Sequence, residues 1–177
     1  MSTLKSIGRL RATALAAIAF VAAMTAGVSC SSSGCSDNRS SIPLAGFYSY
    51  GSHKAITLDS LEIFGIGAPG DSMLLTSGKS ATQVYLPLRA NRDDVTFEIK
   101  YTEKVLAQYG VFDRISIGYT TIPYFASEEC GAMYRYRITS IDHTRNILDS
   151  VAVTAPDSVI TNVDIESMQL YFRVSEE

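Results

Sequence analysis

The chain has 177 residues, 46% of them hydrophobic, and its 15 Lys and Arg against 18 Asp and Glu give a formal charge of −3. Nucleic acid and anionic lipid headgroups both select for clustered basic residues, so an acidic chain is a poor partner for either. The length suffices for one ordinary domain with a core of its own.

Lys5, Arg9 and Arg11 make a basic start with no acidic neighbour, and residues 12–26 then run without a charge. That is the layout of a secretory signal, whose apolar core is shorter than the roughly 20 residues of a membrane span. An uncleaved Ala-rich anchor is the alternative, and under either reading the remainder is exported. Gly27-Val28-Ser29-Cys30 follows at once. Small residues before a Cys mark where a lipoprotein signal is cut and the Cys acylated. Ser29 and Val28 fit that pattern, while Gly27 stands where an aliphatic residue is usual. Cys35 also follows a small residue, Gly34, but lies farther from the apolar core. The reading therefore takes residues 1–29 as signal peptide and Cys30 as the lipidation site.

Removing 29 residues from 177 leaves 148, and losing three of the 15 basic residues leaves 12 against 18 acidic, a charge of −6. Three cysteines are an odd number for an exported protein. With Cys30 given to lipid, Cys35 and Cys130 remain, and an oxidising compartment favours their joining over two separate thiols. A zinc site is poorly supported, since there is no C-x-x-C and only His53 and His143 could assist.

Residues 30–41 are small and polar, a flexible tether. From Ile42 to the end at residue 177 the dominant period is two, which predicts strands. Candidates run over 44–50, 54–66, 72–77 and 82–88. Between Lys54 and Phe64 the parity changes, from Ile56 and Leu58 to Leu61 and Ile63, so a bulge or a break is needed near Ser60. Val95, Phe97, Ile99 and Tyr101 then alternate with polar residues, as do Ile115, Ile117 and Tyr119, and Tyr134, Tyr136 and Ile138. A candidate at 147–154 and the alternation of Met168, Leu170, Phe172 and Val174 complete the set. Only residues 102–109 read as a turn or two of helix. Eight or nine short strands with no βαβ rhythm predict an all-β fold, an antiparallel β-sandwich of immunoglobulin-like or Greek-key type.

Gly65-Ile66-Gly67-Ala68-Pro69-Gly70 spells G-x-G-x-x-G, but a dinucleotide site needs a helix opening at the third Gly. A short strand-like run follows instead, so the glycines read as a hairpin connection, and no cofactor is implied. Asp142-His143 suggests a triad, yet neighbours on an extended segment point to opposite faces. No G-x-S-x-G elbow is present. Asp93-Asp94 and Glu128-Glu129 are paired in sequence only, and Asn91 to Asp94 reads as a hairpin turn before the strand at Val95. Asp157, Asn162 and Asp164 could offer oxygen ligands to calcium, though without the spacing of a calcium loop. The ten tyrosines could supply the aromatic anchors of a binding surface. On the strand near 134 the simpler reading puts Tyr134 and Tyr136 in the core and Arg135 and Arg137 in solvent. The absence of Trp weakens a carbohydrate reading.

Ile115-Ser116-Ile117-Gly118-Tyr119 and then Phe125-Ala126-Ser127-Glu128-Glu129-Cys130-Gly131 form the most distinctive stretch. It resembles a family of exported Bacteroidetes lipoproteins that carry a domain of unknown function. The likeness extends to Cys30, to Cys35 and to the positions of the Leu61–Leu75 hairpin and the Tyr85–Leu88 run. It implies a Gram-negative envelope address and a Cys35–Cys130 pairing, and since the family's activity is unknown it carries over no catalytic residue. The expectation is a non-catalytic binding or structural lipoprotein, held at the outer membrane facing the periplasm, with an envelope protein or a glycan as partner. A glycan- or cell-wall-acting enzyme would need two carboxyls brought together across a cleft. An adhesion or ligand-binding subunit would show an exposed cluster of tyrosines.

Overall fold

The computed structural model describes residues 41–68, 70, 72–128, 130–161 and 165–174. The chain divides into two compact units, Met1–Gly34 and Cys35–Glu177, and all described residues belong to the second. The signal segment, Cys30, Cys35 and nearly all of the tether lie outside them, as do Asn162 and Asp164.

Alternating residues bury one face of a strand and wet the other, so each of these segments needs a second sheet to cover its apolar side. Two sheets supply this. The first runs β4 (Gln83–Tyr85), β1 (Leu44–Ser49), β10 (Glu166–Phe172), β8 (Leu148–Val153). The second runs β3 (Met73–Leu75), β2 (Leu61–Gly65), β5 (Asp94–Tyr101), β6 (Phe112–Ser127), β7 (Gly131–His143), β9 (Val159–Ile160). Ala45, Phe47, Leu170 and Phe172 from the first sheet share one core with Ile63, Phe97, Ile99, Ile115 and Ile117 from the second. Phe47 and Phe172 meet edge to face at 5.5 Å. The result is the expected sandwich, with one departure: β1 and β10 pair in parallel. The parallel register is possible because almost the whole domain lies between them, far more than the dozen residues that a crossover requires.

Several expected elements change in length. The 54–66 segment breaks rather than bulges, leaving single bridges at Ala55 and Leu58 before β2 begins at Leu61. The helix shrinks to α1 (Lys104–Gln108), capped by Glu103, whose carboxylate accepts from the Val105 and Leu106 amides. Gly65 to Gly70 is the connection between β2 and β3, with Gly67 and Gly70 at positive φ. Asn91 to Asp94 is no hairpin turn: it carries the chain from β4 in one sheet to β5 in the other.

The largest difference is the β6–β7 hairpin, whose strands of 16 and 13 residues outrun the sandwich. β5 accompanies β6 only as far as Gly118. There Thr139 bulges out of β7, and Gly118 gives it room, since a Cβ at 118 would stand 2.5 Å from the Ser140 hydroxyl oxygen. Tyr119, Tyr136 and Ile138 stay in the core. Beyond them the same face continues into Pro123, Tyr134 and Phe125, where Tyr134 is 40% and Phe125 68% exposed. Tyr134 is therefore not a core residue. Met133 is buried in its stead, and Arg135 is half-buried with its guanidinium 4.1 Å from the Tyr124 ring centre.

Candidate functional site

The outer face of the four-stranded sheet carries a connected set of polar and aromatic side chains. Tyr48 of β1 and Tyr171 of β10 are register partners, and their rings lie 5.6 Å apart at 40°. Simple alternation would put Gln169 and Tyr171 outward and Glu166 inward. The register shift between Leu44 and Ala45 makes Ser167 an extra residue, which brings Glu166 round to the side of Gln169. The Ser167 hydroxyl then accepts from the Leu44 amide at 3.2 Å.

Glu166 lies across Gly46. A Cβ at position 46 would fall 2.1 Å from Glu166 Oε2 and 2.9 Å from the Tyr48 ring, so only glycine admits this arrangement. The Tyr48 hydroxyl donates to both carboxylate oxygens at 2.8 and 3.0 Å, and the Gln169 amide donates to Oε1 at 2.8 Å. The Tyr171 hydroxyl donates to Gln169 Oε1 at 2.7 Å. The hydrogen bond to Glu166, then burial, hold the Tyr48 phenol above its ordinary pKa, so it stays a donor. Among the described residues no Lys or Arg pairs with Glu166. His53, at positive φ in the turn after β1, packs on Tyr171 at 5.1 Å, and Tyr50, 48% exposed, lies 6.4 Å from His53. Gln83 and Tyr85 on β4, opposite Gly46 and Leu44, extend the same face. Such a surface offers aromatic rings, several hydrogen-bond acceptors and the Glu166 carboxylate.

A second constellation is structural. Asp113, fully buried on β6, accepts five hydrogen bonds. The Thr144 hydroxyl at 2.6 Å and the Asn146 amide at 2.8 Å reach Oδ1. The Ile147 and Leu148 amides at 2.8 Å and the Tyr101 hydroxyl at 2.7 Å reach Oδ2. Burial alone pushes this carboxyl up, but the bonds from Thr144, Leu148, Asn146 and Ile147 outweigh it and hold its pKa below the usual value. Burial, then Asp113, raise the Tyr101 phenol far above its ordinary value. The loop between β7 and β8 is thereby tied to β6 and β5. Tyr119 makes a similar tie, accepting from the Arg89 amide at 3.0 Å and donating to the Arg89 carbonyl at 3.1 Å.

A cleft of about 340 Å³ opens at one end of the sandwich, floored by Leu58, Leu61, Ile147 and Phe172 with Asp59 and Glu103 at its rim. Glu103 is engaged in capping α1 and Asp59 accepts from the Ser60 hydroxyl, so both carboxylates serve local turns. The residues singled out by sequence are scattered. His143 Nε2 contacts the Asp149 carbonyl at 3.0 Å, and Asp142 stands exposed beside it on β7. Cys130 sits half-buried at the hairpin tip, its amide donating to the Ser127 hydroxyl at 3.0 Å. Asp157 lies in a short 3-10 turn at positive φ. Sequence reasoning missed Glu166, Gln169, Tyr48 and Asp113. Asp113 alone left a usable sign, a carboxylate in step with Ile115, Ile117 and Tyr119 on the apolar parity of its strand.

A profile described as a family of unknown function (DUF6452) matches residues 60–172. No curated protein matches the chain, and no solved structure does.

Proposed function

The chain belongs to a family of unknown function, DUF6452, and from this footing we propose that it is a lipid-anchored, non-catalytic binding module of a Gram-negative cell envelope. The observation that carries the binding role is the Tyr48–Glu166–Gln169–Tyr171 network on an outer sheet face. A network this closely bonded costs side-chain freedom, and Gly46 accommodates it at the expense of a side chain on β1. A face serving only solubility needs neither.

The anchor rests on the signal pattern over residues 1–29 and on Cys30. The Cys35–Cys130 disulfide has support from where the tether meets the domain. Ser41 is buried and its hydroxyl donates to the Tyr134 carbonyl. From Ser41 back to Cys35 the chain can reach about 20 Å when extended. From Tyr134 to Cys130 along β7 is about 13 Å. The tether is long enough for the bond. An outer-membrane position facing the periplasm agrees with a tether that has no acidic run directly after Cys30.

Co-sedimentation of the full-length protein with delipidated envelope fragments of a Bacteroidetes host tests the binding role. The wild type is expected to sediment with the fragments, and the Tyr48→Ala/Tyr171→Ala variant to remain in solution. Equal sedimentation of the two, both folded by circular dichroism, would refute it.

A further inference from the structure

The hydrogen-bond inventory of the Tyr48–Tyr171 face narrows what it can hold. The Tyr48, Gln169 and Tyr171 groups each spend a donor inside the network. What they leave outward is mostly acceptor: the phenol oxygens of Tyr48 and Tyr171 and a lone pair on Glu166 Oε2. One N–H of Gln169 remains as a donor beside them. Two half-buried rings, 5.6 Å apart and tilted by 40°, with the His53 ring packed on Tyr171, form an aromatic cluster on this face.

These features sort ligand chemistries. An anionic ligand meets an uncompensated carboxylate and few donors, so it is disfavoured. A compact ammonium gains most when rings enclose it from several sides, whereas Tyr48 and Tyr171 close on each other at 5.6 Å and leave no room between them. A polyhydroxylated ring fits: its C–H face lies against the solvent side of the aromatic cluster, and its hydroxyls donate to the surplus acceptors while one accepts from Gln169. Each hydroxyl is both donor and acceptor, as the mixed carboxylate and amide edge demands.

We infer that the outer face of the four-stranded sheet binds a neutral glycan, one pyranose ring resting on Tyr48 and Tyr171 with its hydroxyls on Glu166 and Gln169. This inference rests on the binding role proposed for the same face and adds the ligand class. No covalent step is involved, and Glu166 orients and accepts.

The test is isothermal titration of the full-length protein in detergent with maltohexaose, cellohexaose, xylohexaose and chitohexaose, beside polygalacturonate as the anionic arm and chitosan as the cationic arm. At least one neutral oligosaccharide is expected to bind with Kd at or below about 1 mM, a modest free energy of roughly −4 kcal/mol. Tyr171→Ala and Tyr48→Ala are expected to weaken it about tenfold or more, a loss of roughly 1.4 kcal/mol. Glu166→Gln keeps the shape and removes the charge, and is expected to weaken it severalfold. Tyr109→Ala, at an exposed site on the other sheet's α1 connection, should leave it unchanged. Binding that survives Tyr171→Ala, or preference for either charged polymer, would overturn the inference. Absence of any oligosaccharide binding while envelope co-sedimentation still depends on Tyr171 would overturn the glycan class and leave the binding role standing. Loss of both would remove both.

Discussion

Asp113→Asn replaces one buried oxygen by an amide group and removes the charge while keeping the shape. In the better orientation the Asn oxygen keeps the Ile147, Leu148 and Tyr101 donors, and its NH₂ faces the Thr144 hydroxyl and the Asn146 amide. Thr144 can rotate to accept, but the Asn146 amide is orphaned, at about 1–3 kcal/mol. The three kept bonds change from charge-assisted to neutral, losing about 1 kcal/mol each. Burying a neutral group in place of a charge returns about 2 kcal/mol of that. The net expectation is a loss of about 3 kcal/mol, a sizeable part of the roughly 5–15 kcal/mol that holds a typical domain. Urea unfolding followed by circular dichroism and tyrosine fluorescence would show it as a midpoint lower by about 1.5 M at a slope near 2 kcal/mol/M. The folded carboxyl has a lowered pKa, so its contribution is present above the unfolded value of about 3.9 and is lost as pH falls through the folded value. The gap between wild type and variant should therefore narrow between about pH 7 and about pH 3. A gap below about 1 kcal/mol at neutral pH, or one that widens on acidification, would refute the reasoning.

Tyr119→Phe removes both bonds to Arg89 and is expected to cost about 1–2 kcal/mol in the same unfolding assay, with β6 otherwise intact. Gly46→Ala drives a Cβ into Glu166, so we expect a loss of about 1–3 kcal/mol and a Tyr48 phenol whose pKa falls back toward its ordinary value in an ultraviolet titration. An unchanged titration would show that Glu166 had kept its place. Intact mass spectrometry of membrane-extracted protein should find an acylated N-terminus at Cys30 and a gain of two hydrogens on reduction, and an unlipidated form starting elsewhere would end the anchor proposal. Reduction should also lower stability by roughly 4–5 kcal/mol if Cys35 and Cys130 close a loop of nearly a hundred residues.

Period-two alternation was enough to identify the strands around Phe97, Ile115 and Leu170 and the residues each turns inward. It also located the interruption near Ser60, because a change of parity cannot be carried through an unbroken strand. The glycines after Phe64 read correctly as a connection, since no helix-forming run follows them. Residues 1–41 were legible only as composition and motif.

Parity within one strand, however, says nothing of what lies opposite or alongside it. Tyr134 and Tyr136 share a parity, yet Tyr136 is buried and Tyr134 is 40% exposed, on the stretch of hairpin that β5 no longer accompanies. Asp113 occupies an apolar position because donors from the β7–β8 loop, more than thirty residues away, converge on it. The candidate binding face depends on β1 meeting β10 in parallel, across more than a hundred residues of chain, and on one extra residue at Ser167 that rotates Glu166 over Gly46. A local pattern fixes which way a side chain points along its own strand. Which partners it meets there is set by strand pairing and register, and those depend on contacts that no short window of sequence contains.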